Sequence, residues 1–358
     1  MPRETFRNII TTPEKMERIN PQNKTLTESF LREKGIRSSL GTVMGYRSDL
    51  NIFFVYVLDC LENKYFVEIK KLEFAEFFNY CITELRWNSA RFNRMRSCLS
   101  SLCNFVEKYL DEDYPMFRNN ILKVIDVMPQ HFAREKTILS EGQVKELLQF
   151  LVDDQRNQEA CLISLAISSG ARISELLRFT TDIIDLKNLV YSDIFIETSE
   201  KIKTKGRTKN GDLKYKYIIK ATFESYYNPW MAERNEIMRK NGQAHTSLFI
   251  KPDGTPASTA TIRRWIPTWE RLLGVDIYPH AFRHYTVTFL TRIGLTSDLI
   301  VELMGWKSSE MFKIYNDLSC KDREWKELDK LKDYLKISNS RNSNCNLSEL
   351  TKTVREKS

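Results

Sequence analysis

The chain has no apolar run approaching the roughly 18–20 residues that span a bilayer. Its longest, Ile52-Phe53-Phe54-Val55-Tyr56-Val57-Leu58, ends at Asp59 and predicts a buried helix rather than a membrane segment. The start, Met1-Pro2-Arg3-Glu4, lacks the apolar stretch of a secretory signal. The seven cysteines are odd in number and scattered, with no C-x-x-C pair. That pattern argues against a disulfide framework and against zinc, and points to reduced, mostly buried thiols in a cytosolic compartment. No Gly-rich phosphate loop and no metal-ligand cluster is present. His280 and His284 stand four apart, as zinc ligands can, but no Glu stands at 281 and no third ligand is in register. No metal and no cofactor is therefore expected.

What remains is a composition of 42% hydrophobic and 28% charged residues over 358 positions, which describes a soluble globular chain of two domains. The formal net charge is +8. Its distribution is more informative than its size. Residues 201–220 hold eight lysines and arginines (Lys201, Lys203, Lys205, Arg207, Lys209, Lys214, Lys216, Lys220) against Asp212 alone. A solvated charged hairpin would explain this, and so would contact with a polyanion, where each neutralised phosphate releases counterions.

Residues 1–25 are polar and unpatterned. From about 26 to 110 the chain reads as amphipathic helices. Thr42, Tyr46, Leu50 and Phe53 share one helical face, and Phe92, Met95, Leu99, Leu102 and Phe105 form a stripe within Trp87–Tyr109. Arg86, Arg91, Arg94 and Arg96 sit at the start of that second helix, turned toward a partner. Met128 to Lys136 breaks the periodicity as a linker would. A new helix begins after Ser140, in a Ser140–Gln143 capping box, and the next runs through Cys161–Ser168 to Gly170. Strands follow at Leu189–Tyr191, Ile194–Ile196 and Tyr215–Ile219, with Asn210-Gly211 as a hairpin turn. From Thr259 the pattern is helical again, and Trp325, Leu328, Leu331 and Leu335 give a last helix an apolar stripe.

The chemistry is concentrated in Arg172, His280, Arg283, Trp306 and Tyr315. Two guanidinium forks fit the oxygens of one phosphate and stay charged at any working pH. A phenol is a poor nucleophile at its ordinary pKa of about 10, but packed cations and a nearby base can activate it. Together the set suits metal-free covalent attack on a phosphodiester. Singly, each residue has a plainer reading. Arg172 could cap a helix or pair with Glu175, Trp306 could be core packing, and Tyr315 could lie on a helix surface.

Residues 137–318 resemble the catalytic domain of the tyrosine recombinases, the phage-integrase family, in an Xer/integrase-like form. Ile167-Ser168-Ser169-Gly170-Ala171-Arg172-Ile173-Ser174-Glu175-Leu176 is similar to the family's T-G-x-R-x-x-E-L box. Pro279-His280-Ala281-Phe282-Arg283-His284 matches H-x-x-R-H, and Leu303-Met304-Gly305-Trp306 with Tyr315 nine residues beyond matches the last box. Trp306 stands where most members have histidine. Its N–H can donate to phosphate but cannot titrate.

The resemblance implies a mostly α fold with a small β-sheet or hairpin: a helical SAM-like core-binding domain joined to a mixed α/β catalytic domain. The expected layout is a polar segment (1–25), the core-binding domain (26–125), a linker (126–137), the catalytic domain with its C-terminal helix (138–337) and a mobile tail (338–358). It also implies that Tyr315 forms a 3′-phosphotyrosyl link, with Arg172 and Arg283 on the scissile phosphate and His280 moving the tyrosine's proton. A hairpin lysine protonates the leaving 5′-oxygen. Thr208-Lys209-Asn210-Gly211 is similar to the family's T-K-x-G turn and makes Lys209 the first choice, with Lys205 and Lys203 open. Candidate DNA contacts are Arg47, Arg91, Arg94, Lys203, Lys205, Arg207, Arg263 and Arg264. The implied partners are double-stranded DNA, three further copies joined by exchange of the C-terminal helix, and DNA-bending or directionality factors; no membrane is involved. The implied setting is the nucleoid of a bacterial cytoplasm, and the implied task is integration and excision of a phage or mobile element. A type IB topoisomerase-like or resolvase activity, a silent DNA-binding regulator and a metal-dependent nuclease are the rival readings.

Overall fold

The computed structural model describes residues 10–119, 123, 125–129, 137–204, 211–278, 280–306 and 312. The chain divides into two compact units, residues 1–135 with 204–212, and residues 136–203 with 213–358. The fold is mostly helical with small antiparallel sheets.

The first unit contains α1 (Pro13–Arg18), α2 (Pro21–Arg37), α3 (Leu40–Cys60), α4 (Lys71–Thr83) and α5 (Ser89–Tyr109). Side-chain caps set the helix starts, each satisfying an N–H that the helix itself leaves open. Asn20 accepts from the Gln22 N–H at 2.9 Å, and Asn88 from the Arg91 N–H at 2.9 Å. Phe53 anchors an aromatic core, with Phe77 edge-on at 4.9 Å and Phe74 stacked at 5.8 Å. Phe92, Met95, Leu99 and Leu102 are buried along α5, as their spacing predicts. Buried Asn23 donates to the Lys64 carbonyl and accepts from the Phe66 N–H, fixing the turn before α4.

In the second unit, α6 (Glu141–Asp153) begins at the Ser140–Gln143 capping box. Next comes α7 (Asn157–Ser169), buried at every position from Glu159 onward. A helix that is enclosed on all sides belongs at the centre of its unit. It packs against α6, α9 (Lys220–Lys240), α11 (Ala281–Arg292) and the strand β5 (Tyr217–Ile219). Its one early carboxylate, Glu159, is compensated by Arg156 and by the Trp269 indole N–H at 2.8 Å. The same unit also contains the short α8 (Ile173–Leu176), α10 (Thr259–Leu273) and α12 (Ser297–Leu303).

A three-stranded sheet joins β1 (Leu189–Val190), β2 (Phe195–Glu197) and β5, with Val190 opposite Phe195 and Ile196 opposite Ile218. Between β2 and β5 lies a second pair, β3 (Ile202–Thr204) with β4 (Asp212–Lys214), which the sequence pattern did not predict. The polar and basic residues that dominate these short strands mask their period of two. Tyr191, Ser192 and Asp193 have positive φ and form the β1–β2 turn, so β1 ends before Tyr191.

Helix α7 ends where Gly170 takes φ +57, beside Met304. A Cβ there would lie 2.4 Å from the Met304 sulfur. The thioether end can swing away, so the backbone strain decides, at about 1–2 kcal/mol for a left-handed L-residue. Gly170→Ala should lower the melting temperature by roughly 2–8 °C, the shift such a strain produces in a unit of this size.

Candidate active site

Arg172 is the cap residue of α8, with its side chain 21% exposed. Its Nη1 donates to Glu175 Oε1 at 2.7 Å, and its backbone N–H donates to Glu175 Oε2 at 3.2 Å. Glu175 is fully buried and also accepts from Lys216 Nζ at 2.9 Å. Burial alone would raise the Glu175 carboxyl, but the Lys216 ammonium, then Arg172, bring it down to about 2. Burial pushes the Lys216 ammonium below its usual value; Glu175 opposes that push, while Arg283 and Arg172 add to it. The paired carboxylate thus favours the charged lysine against the burial that disfavours it.

Arg283, in the first turn of α11, is 1% exposed. Its fork donates to the carbonyls of Gly170 and, at 3.4 Å, Met304. Its guanidinium carbon lies 5.2 Å from the centre of the Trp306 ring. The Trp306 indole is held in a cluster with Val287, Leu290, Ile300, Leu303 and Met304. His280 caps α11, one turn before Arg283, and is exposed. His284 is buried on the next turn, edge-on to Tyr278. A Cβ at Gly305 would fall 4.0 Å from Lys216 Nζ, so the turn before Trp306 closes over the lysine.

Three segments distant in sequence therefore meet: the Gly170–Glu175 turn, the start of α11 and the Met304–Trp306 turn. Lys216 joins them from just before β5. Sequence reasoning counted Lys216 only as part of the basic run. The missed signal was alternation, since Lys216 lies two positions before buried Ile218 and so faces the interior. Tyr315, Lys205, Arg207 and Lys209 lie outside the described residues. Lys203 is exposed on β3, and its carbonyl accepts from Arg178.

Among the candidate DNA contacts, Arg47 forms a two-bond ion pair with Glu28. Arg94 does the same with the buried Asp49 at 2.6 and 2.8 Å. Arg91 lies against the Trp87 ring at 4.6 Å. Arg263 and Arg264 are exposed on α10. Among the described residues no helix is long and apolar enough to cross a membrane, and no cluster of His, Cys, Asp and Glu could hold a metal ion.

A model of the phage integrase family matches residues 137–321, the span that carries all of these segments. The chain belongs to that family, and so to the tyrosine-type site-specific recombinases. It is 24% identical over 285 residues to the SPbeta prophage-derived recombinase-like protein YomM of Bacillus subtilis (strain 168), across 77% of this chain and 81% of that relative. It is 22% identical to tyrosine recombinase XerD of Haemophilus ducreyi, across 85% of this chain and 95% of that one. In fold it is similar to the XerH site-specific recombinase bound to palindromic difH substrate in a post-cleavage complex. There the TM-score is 0.63 at 17% identity, covering 86% of this chain and 97% of that one.

Proposed function

We propose that this enzyme cuts and rejoins duplex DNA at specific sites through a 3′-phosphotyrosyl bond to Tyr315. The observation that carries the reading is the meeting of Arg172 and Arg283: Arg283 donates to Gly170, two residues before Arg172, and Trp306 lies against it. Two guanidinium groups and an indole N–H brought to one cluster can hold the non-bridging oxygens of a phosphate and the charge that builds up at five-coordinate phosphorus. The Tyr315 oxygen attacks phosphorus while its proton passes to His280. The P–O bond to the 5′-oxygen breaks, and that oxygen takes a proton from a hairpin lysine, Lys209 first, with Lys205 and Lys203 as alternatives. The energy of the broken bond stays in the tyrosyl ester, so a 5′-hydroxyl from another strand reverses the step without ATP.

The larger cycle follows from the same chemistry. The N-terminal helical module (26–125) and the catalytic domain (138–337), joined by the 126–137 linker, close on DNA. Exposed Arg263 and Arg264, the hairpin cations and Arg91 supply contacts; Arg47 and Arg94 must first exchange carboxylate for phosphate. Four copies, linked by the apolar stripe Trp325–Leu335, exchange one strand from each of two sites and pass through a Holliday junction. DNA-bending or directionality factors set the outcome. Likeness to a protein named as prophage-derived favours integration and excision of a mobile element, carried out at the nucleoid of a bacterial cytoplasm.

The test is a nicked duplex carrying the site that the protein footprints on the ends of its own element. In EDTA it should give an SDS-stable adduct on the 3′-phosphate at undiminished rate. Neither adduct nor cleavage would leave a silent DNA-binding protein, and cleavage without adduct that EDTA abolishes a metal nuclease. Relaxation of any supercoiled DNA without exchange between two sites would identify a topoisomerase-like enzyme. Each of these overturns the proposal.

A further inference from the structure

We propose that Lys216 is a positioning residue: acting through Glu175, it fixes the direction in which Arg172 presents its guanidinium to the phosphate. The inference rests on the reading above and extends it to a residue outside the five-residue motif.

The geometry makes a relay. Lys216 is 1% exposed and Glu175 fully buried, so neither side chain is placed to meet DNA. Lys216 Nζ holds Glu175 Oε2 at 2.9 Å, and the other oxygen, Oε1, holds Arg172 Nη1 at 2.7 Å. One carboxylate is thus shared between an inner and an outer cation. Only the outer one, 21% exposed, reaches toward solvent. The backbone keeps the inner cation in register: the Lys216 N–H donates to Thr198 Oγ1, and the Thr198 N–H donates to the Lys216 carbonyl, both at 3.0 Å.

The charges facing Glu175 are Lys216 and Arg172, with Arg283 further along the same cluster. Without the ammonium, the buried carboxylate would keep only the half-open side of the site as its counter-charge. It would then turn toward Arg172 with both oxygens or take up a proton, and either change frees the guanidinium from its set direction. Loss of a partner that orients a contacting group lowers activity by roughly 10–100-fold in comparable sites.

The experiment is single-turnover adduct formation on the nicked duplex, with DNA affinity measured in parallel. Lys216→Met should cut the rate by roughly 10–100-fold with little change in DNA affinity. It should also add a fall in rate at low pH where the original enzyme is flat, because Glu175, without the ammonium that lowers it, protonates sooner. Lys216→Arg, which keeps the cation, should restore most of the rate. In a Glu175→Gln background the Lys216→Met change should have almost no further effect. That comparison does not use the single Met variant: the double variant leaves no lone buried charge, and the Glu175→Gln arm, which keeps a buried ammonium, is measured at a temperature where it stays folded. A further large loss in the Gln background would mean that Lys216 acts on DNA directly, and the inference fails. An unchanged rate and pH profile with only a lower melting temperature would mean a purely structural lysine, and it fails again. If the original enzyme makes no adduct at all, the recombinase reading itself has failed, before any variant is compared.

Discussion

Tyr315→Phe protein should bind its DNA site as tightly as the original to within about threefold, a difference below 1 kcal/mol, yet leave no covalent adduct on the nicked duplex. The phenol oxygen is the only atom removed. The groups proposed to orient the strand are untouched: the two arginines, the indole and the helical module all remain. Deleting the nucleophile of a group-transfer enzyme lowers turnover by at least about 10⁴-fold, so the band should vanish from a gel rather than weaken. Persistence of the adduct would reassign the nucleophile. The next tyrosines on the chain are Tyr285 before it and Tyr334 after it. Tyr285 is half-buried in α11, stacked on Phe289, and burial raises its phenol. A residue so placed is a weak substitute.

Arg283→Ala is the second large effect. The guanidinium is buried, in contact with the Gly170 and Met304 carbonyls and the Trp306 ring. On the proposed mechanism its removal takes a charged fork from the transition state, on the order of 10³-fold in cleavage rate for a well-placed donor. It also leaves two inward carbonyls without this donor, worth about 1–3 kcal/mol each if no water replaces it. Both a lower melting temperature and a lower cleavage rate are therefore expected, and the rate should be measured at a temperature where the variant stays folded. Arg283→Lys keeps the charge but not the two-pronged geometry and should recover stability better than rate. A folded Arg283→Ala protein that cleaves within tenfold of the original would remove this residue from the phosphate grip.

Much of this was legible in the sequence, because the informative residues obey simple periods or keep a fixed spacing. The α5 stripe, the Ser140 capping box and the end of α7 at Gly170 were all read correctly from local pattern. Arg172, Arg283 and Trp306 were singled out from motif order, and the fold brings their segments together. Helix α9 was missed, although Phe223, Tyr227, Trp230 and Met238 follow a helical face; Pro229 inside it looks like a breaker. The pairing of β3 with β4 was hidden because short, charged strands have no apolar alternation to betray them. The Lys216–Glu175 pair was hidden for a deeper reason. A lysine within a basic run looks like a surface residue, and only three-dimensional packing selects the one that turns inward. The ion pairs of Arg47 with Glu28 and of Arg94 with Asp49 join residues far apart in sequence, which no local window contains.

Arg283 reaches back 113 positions to Gly170 and forward 21 to Met304. A chain emerging from the ribosome therefore cannot bring Gly170, Arg283 and Met304 together until residues beyond 304 are free to fold back. Central helix α7 is made long before the segments that arm it. On the proposed chemistry, nascent chains and truncated products that end before that turn should therefore cut no strand, whatever their helical module binds.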